Sequence, residues 1–94
     1  MKIAIIGVGN LGLSIAKGLL ISDKITSLYL TKNKISTIEE YNEIENVFVT
    51  NDNIEAVSNS DIIIISVQPN DALYILENIK KHIHCIIPFK NVRL

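Results

Sequence analysis

The chain has 94 residues, enough for one domain with a modest core, since chains of this size bury roughly 60 to 70% of the surface they expose when unfolded. It is 48% hydrophobic and 20% charged with a net charge of −1, a globular composition without the basic footprint of a nucleic-acid binder, so no nucleic-acid partner is expected. No membrane association is expected either: the apolar run Ile62 to Ile65 falls far short of the ~18 residues of a spanning helix, and Gly7 and Gly9 interrupt the opening run before it could act as a secretory signal.

Short β-rich runs alternate with helical stretches, as in a parallel sheet with crossover helices. Lys2 to Ile6 is predicted as the first strand, and Asn10 to Ile21 as a helix with Leu11, Ile15, Leu19 and Leu20 at helical spacing. Ile25 to Thr31 is the second strand, ending where Lys32, Asn33 and Lys34 make the chain polar. Ile35 to Tyr41 reads as a short helix, with Ser36 or Asn33 able to cap its start. Asn46 to Val49 is a third strand carrying Val47, Phe48 and Val49, and Asn51 to Val57 is a helical turn.

Asp61 to Val67 is a strand apolar on both faces, as expected where helices cover both sides of a parallel sheet. Pro69 ends it and suits a helix start; Asp71 to His82 follows as a helix with Leu73, Leu76 and Ile79 inward. His84 to Ile87 is the last strand, stopped by Pro88. The expected fold is α/β: a Rossmann-like, three-layer arrangement with a parallel sheet of about five strands. With Gly7, Gly9 and Gly12 spaced G-x-G-x-x-G behind the first strand, residues 1–94 read as one dinucleotide-binding domain that stops where a full dinucleotide fold would continue. There is no internal repeat, low-complexity tract or linker.

The most informative segment is the first. Gly7, Gly9 and Gly12 are spaced G-x-G-x-x-G directly behind the first strand. In that context Gly7 permits the tight turn, Gly9 lets the backbone approach a pyrophosphate, and Gly12 lets helix and strand pack closely. The phosphates then sit on the helix N-terminus, where free N–H groups and the positive end of the dipole meet negative charge.

The end of the second strand bears on which dinucleotide. An NAD-binding version carries an Asp or Glu there for the adenine ribose, whereas this chain has Thr31, Lys32, Asn33 and Lys34. Asp23 precedes the strand and lies at the wrong end of the sheet. A hydroxyl with ammonium groups suits a 2′-phosphate, so NADP is the expected cofactor, with NAD possible.

These residues resemble the pyrroline-5-carboxylate reductase family. The resemblance runs through the opening Met1 to Gly12, Ala16 to Leu20, Thr50 to Val57 and Ser60 to Pro69, in order over roughly residues 1–87. It implies an NADP- or NAD-linked, homo-oligomeric reductase whose first domain holds the dinucleotide and whose second, helical domain forms the dimer and most of the pocket for a small-molecule substrate. Nicotinamide delivers hydride to the imine carbon of a pyrroline ring, the cofactor carrying the chemistry, so no catalytic residue is named here.

Carried onto this sequence, the resemblance implies that Ile6, Gly7, Val8, Gly9, Asn10 and Leu11 line the pyrophosphate. Thr31 meets the adenine ribose or its phosphate, and Asn53 bonds near the adenosine. Ser66, Val67, Gln68 and Pro69 run past the nicotinamide ribose. The family usually shows Ala-Val-Lys-Pro at that last place, so Gln68 loses a charge. After the fifth strand the family's Ala-Ala-Gly segment is replaced by Pro88-Phe89-Lys90, and the 94 residues by themselves are expected to bind cofactor weakly and not to turn over.

Other residues invite functional readings that their surroundings weaken. His82, His84 and Cys85 resemble metal ligands, but strand alternation sets His82 and Cys85 on opposite faces and no further ligand completes a shell; no metal is expected. His82 instead ends a helix beside Lys80 and Lys81. Cys85, the single cysteine, reads as a small core residue and points to a reducing cytoplasm. Glu39, Glu40, Glu43 and Glu45 read as solvated faces, and Tyr29 and Phe48 as packing. Two other functions remain open. A deazaflavin-linked NADP reductase would share the glycines but carry a different loop from Val67-Gln68-Pro69. A regulatory nucleotide-sensing module would retain an acidic residue where Thr31 stands.

Overall fold

Strands β1 (Lys2–Ile6), β2 (Ser27–Thr31), β3 (Val47–Thr50), β4 (Ile62–Ile65) and β5 (Ile86–Pro88) form one parallel sheet in the order β3-β2-β1-β4-β5. The computed structural model describes residues 1–67, 69–82 and 86–88. Helices α1 (Asn10–Leu20), α2 (Asn53–Ser58) and α3 (Pro69–Ile79) connect the strands.

Period-two alternation along β1 builds both sides of the core. Ile3 and Ile5 join Leu28, Leu30, Ile64 and Ala16 of α1 on one face. Ala4 and Ile6 join Ile63, Ile65, Ala56, Val57, Ala72 and Ile79 on the other. The central strands are therefore apolar in both directions, and the three-layer α/β arrangement is the one expected.

Register brings the carboxyl ends of the strands level, because Ile6 pairs with both Thr31 and Ile65, and Thr31 pairs with Thr50. The segments that leave β1, β2, β3 and β4 consequently emerge along one edge. The sheet order reverses direction between β1 and β4, which is where open α/β sheets bind their ligands.

Several elements differ from the sequence reading. The helix expected over Ile35 to Tyr41 is instead two 3₁₀ turns, Ile35–Thr37 and Glu39–Glu43. Ile35, Ile38 and Tyr41 recur every three residues, the period of a 3₁₀ helix, and Ile38 with Tyr41 packs on the core. Lys34 precedes the first turn without a side-chain cap, so neither Asn33 nor Ser36 has the capping role expected.

Asn46 lies before β3 rather than within it: its φ is 67°, a left-handed conformation that Asn tolerates, and its carbonyl accepts from Leu28 N–H at 2.9 Å. Helix α3 starts at Pro69, the residue that suits a helix start, two residues before Asp71, and gives way to a 3₁₀ turn, Lys80–His82. Ala72, Leu76 and Ile79 form its inner face, whereas Leu73 is 72% exposed, the reverse of its expected orientation.

At one edge of the sheet Tyr29 and Phe48 stack with ring centroids 4.9 Å apart, the packing role expected. At the other edge Pro88 is part of β5, in register with Ile65, which an edge strand permits; His84 and Cys85 lie outside the described residues. Among the described residues no helix is long and apolar enough to cross a membrane.

Candidate functional site

The turn after β1 is tied to the ends of its two neighbours. Gly7 has φ +77°, a region where only glycine is unstrained, and a Cβ there would also collide with the Val67 side chain. Gly7 N–H donates to the Thr31 carbonyl at 3.1 Å and to Thr31 Oγ1 at 3.2 Å, while Val8 N–H donates to the same carbonyl at 2.8 Å. From the other side Ser66 Oγ donates to the carbonyls of Gly7 and Ile6, at 3.0 and 3.2 Å.

Gly9 then caps α1 with extended backbone. Among the described residues no side chain caps this helix, and its first turn has no acidic residue. A Cβ built at Gly9 meets nothing within 4 Å, so the space over the helix start is open. Gly12 is the opposite case: its Cβ would stand 2.8 Å from Ser66 Oγ. The three glycines thus serve a turn, an open approach and a close packing contact.

A cavity of about 580 Å³ spans this carboxyl edge. The loop Ile6, Gly7, Val8 and Gly9 forms its floor, and Thr31, Lys32, Asn33 and Lys34 line it from β2. Asn53, Ser66 and Val67 line it from the ends of β3 and β4. Asn10, Leu11 and Gly12 are not on its wall; they form the first turn of α1. Pro69 is the first residue of α3, and Gln68 lies outside the described residues.

Thr31 lines the cavity beside Lys32 and Lys34. It is 1% exposed, and its hydroxyl oxygen accepts from Gly7 N–H, which leaves the hydroxyl proton as a donor.

Asp71, Tyr74 and Ile75 of α3 also line the cavity and were not anticipated. They occupy positions i, i+3 and i+4, one face of a helix, and this spacing of a carboxylate, a phenol and an aliphatic residue is the signal that could have found them. Asn53 reaches the cavity because Asp52 caps α2, its Oδ1 accepting from Ile54 N–H at 3.0 Å and Glu55 N–H at 3.2 Å. Glu39, Glu40, Glu43 and Glu45 are exposed and off the cavity wall. Among the described residues no group of His, Cys, Asp or Glu could hold a metal; His82 Nδ1 lies 3.5 Å from Ser58 Oγ.

A parallel sheet with its direction reversal at β1 and β4, a glycine-rich turn there and an uncapped helix above it define a Rossmann-type dinucleotide-binding domain. Residues 2–88 match the family described as NADP oxidoreductase, coenzyme F420-dependent, and the chain belongs to that family.

Among curated proteins it is similar to pyrroline-5-carboxylate reductase 2 of Dictyostelium discoideum, 40% identical over 81 residues, covering 84% of this chain and 27% of that protein. It is also similar to pyrroline-5-carboxylate reductase 1 of the same organism, 41% identical over 90 residues, covering 90% of this chain and 16% of that protein. In fold it matches the crystal structure of Plasmodium falciparum pyrroline carboxylate reductase with NADP bound, at a TM-score of 0.69 and 22% identity over 90% of this chain and 33% of that one. The chain thus spans a third or less of the length of each of these relatives.

Proposed function

We propose that this chain holds NADP in the cavity at the carboxyl edge of the sheet, as the cofactor-binding part of a reductase of the pyrroline-5-carboxylate type. The observation that carries this reading is the open space over Gly9 at the uncapped start of α1. N–H groups at such a start bind phosphate oxygens, and the missing Cβ admits them.

The remaining lining fits the same ligand. Lys32 and Lys34 supply positive charge for a 2′-phosphate, and Asn33 and Asn53 supply amide groups. Val67 provides an apolar border toward the nicotinamide end. When bound, NADPH would supply hydride to the imine carbon of a pyrroline, and with a proton from water on the nitrogen the C=N bond is reduced to give proline. The chain's own part is to bind and orient the cofactor. Recognition of the small-molecule substrate and assembly into an oligomer are assigned, by the resemblance, to a separate helical domain. A cytoplasmic setting goes with this reading, supported by the single cysteine.

The test is a titration of the chain with NADPH and NADH, followed by nicotinamide fluorescence and by thermal unfolding. A ligand that binds only the folded state stabilises it by about 2.7 kcal/mol at a hundredfold excess over Kd. NADPH is expected to raise Tm and to bind at least about tenfold more tightly than NADH, a difference of ~1.4 kcal/mol. Response to neither overturns the reading. The family's description gives weight to a second reading, a deazaflavin-linked NADP oxidoreductase. Because the 94 residues by themselves are not expected to turn over, binding distinguishes the two: an oxidised deazaflavin added to the NADPH-loaded chain should raise Tm further only in the second reading.

A further inference from the structure

The peptide group of Gly7 is held from both sides by buried hydroxyls. Thr31, 1% exposed, takes the Gly7 N–H at the end of β2 on two acceptors, its backbone carbonyl at 3.1 Å and Oγ1 at 3.2 Å. Ser66, 6% exposed, donates its hydroxyl proton to the Gly7 carbonyl at 3.0 Å from the end of β4. The same two residues continue the hold outward: the Thr31 carbonyl accepts Val8 N–H at 2.8 Å, and Ser66 Oγ also reaches the Ile6 carbonyl at 3.2 Å.

A glycine at φ +77° has no side chain to restrict its rotation, and without partners its peptide would sample several orientations. Gly9 and the start of α1 follow within two residues, so the direction of their N–H groups depends on how Gly7 and Val8 are held. We propose that Thr31 and Ser66 are positioning residues that fix the glycine turn from its two flanking strands. They set the affinity for the pyrophosphate of any dinucleotide and leave the choice between NADP and NAD to Lys32 and Lys34.

This inference rests on the dinucleotide reading above, and it reassigns Thr31 within it. Preorganised donors bind more tightly because less ordering remains at the moment of binding. Thr31 ends β2 and Ser66 directly follows β4, the two strands paired on either side of β1, so the turn is referenced to the central sheet.

The experiment compares the chain with its Thr31→Val, Thr31→Ser and Ser66→Ala variants. Each is titrated with ADP, 2′-AMP, NADP⁺ and NAD⁺, and amide hydrogen exchange of Gly7 and Val8 is recorded without ligand. Thr31→Val and Ser66→Ala are expected to exchange faster at Gly7 or Val8. They should lose about five- to tenfold in affinity for ADP, NADP⁺ and NAD⁺ alike, the size expected for one hydrogen bond. Binding of 2′-AMP and the NADP⁺ to NAD⁺ ratio should not change, and Thr31→Ser should restore both exchange and affinity.

If Thr31→Val weakens NADP⁺ far more than NAD⁺, the hydroxyl touches the 2′-phosphate and the proposal is wrong. Unchanged exchange and unchanged ADP affinity in both variants overturn it equally. Should Thr31→Val fail to fold, Ser66→Ala and Thr31→Ser still decide it, since neither adds bulk. If the unmodified chain binds none of the four ligands, the dinucleotide reading falls, while exchange at Gly7 and Val8 separately decides whether the hydroxyls hold the turn.

Discussion

The Ser66 hydroxyl occupies the space into which a Gly12 side chain would project: a Cβ built on Gly12 stands 2.8 Å from Ser66 Oγ and 3.4 Å from the Ile5 side chain. Ser66 cannot retreat without giving up its bonds to the Ile6 and Gly7 carbonyls. Gly12→Ala should therefore destabilise the fold. Overpacking costs about 1–3 kcal/mol, offset by up to ~1 kcal/mol of helix propensity, for a net loss of roughly 1 kcal/mol. Gly18→Ala, on the same helix with nothing within 4 Å, should instead stabilise by about 0.5–1 kcal/mol. Urea unfolding of both variants checks the opposite signs, and Ser66→Ala in the Gly12→Ala background should recover part of the loss.

Gly9 separates binding from folding in the same loop. Its φ of −105° lies outside the left-handed region, and open space surrounds its missing Cβ. Gly9→Val should leave the ligand-free Tm within a few degrees of the parent and remove the NADPH-induced rise, because the side chain would stand where phosphate oxygens approach. Paired thermal scans with and without NADPH read both quantities. A variant that still responds would mean that the turn is structural only.

What the sequence reveals and hides here follows from range. The strand β1, the three glycines and the polar corner Lys32 to Lys34 are local patterns, and each stands where its spacing puts it. The partner of the Thr31 hydroxyl lies 24 positions away and is set by the pairing of Ile6 with Thr31, which no local pattern contains. The wall supplied by α3 was hidden for a different reason. Leu73 and Leu76 look alike in sequence, but Ala72, Leu76 and Ile79 together take the inner face. Leu73 is thereby turned outward, while Asp71, Tyr74 and Ile75 line the cavity.

The corner at Lys32 and Lys34 should govern the preference for a 2′-phosphate. A charge-assisted hydrogen bond is worth about 1.5–3 kcal/mol, so Lys32→Ala should weaken NADPH roughly tenfold or more while leaving NADH nearly unchanged. Lys34 is the more exposed of the two, and its replacement should cost less and depend more on salt. Fluorescence titrations of each variant at low and high ionic strength provide the comparison; equal losses for NADPH and NADH would assign these lysines to general attraction.

Helix α2 is six residues long, too short to persist without its cap. Asp52 Oδ1 accepts both Ile54 and Glu55 N–H, and Asp52 N–H donates to Thr50 Oγ1 at 3.0 Å. Asp52→Ala should cost about 1 kcal/mol, a Tm fall of ~4–8 °C in a domain of this size, and Asp52→Asn should recover most of it. Because α2 carries Asn53 to the cavity, the Ala variant should also bind NADPH less tightly than its stability alone accounts for, measured well below its Tm.

Asp71 is the carboxylate among the lining residues of a cavity read as a phosphate site, and its two effects oppose each other. In the first turn of α3 it favours the helix, whose N-terminal end is positive; toward a bound phosphate it repels. Asp71→Asn should therefore lower Tm slightly in the ligand-free chain and raise NADPH affinity about two- to threefold at low salt, an advantage that fades near 1 M, where charges are screened beyond ~3 Å. Calorimetric titration at two salt concentrations, beside thermal scans without ligand, reads both effects. If affinity falls in the Asn variant, the carboxylate bonds to a donor on the ligand, and the ribose hydroxyls become its partners in place of a distant phosphate.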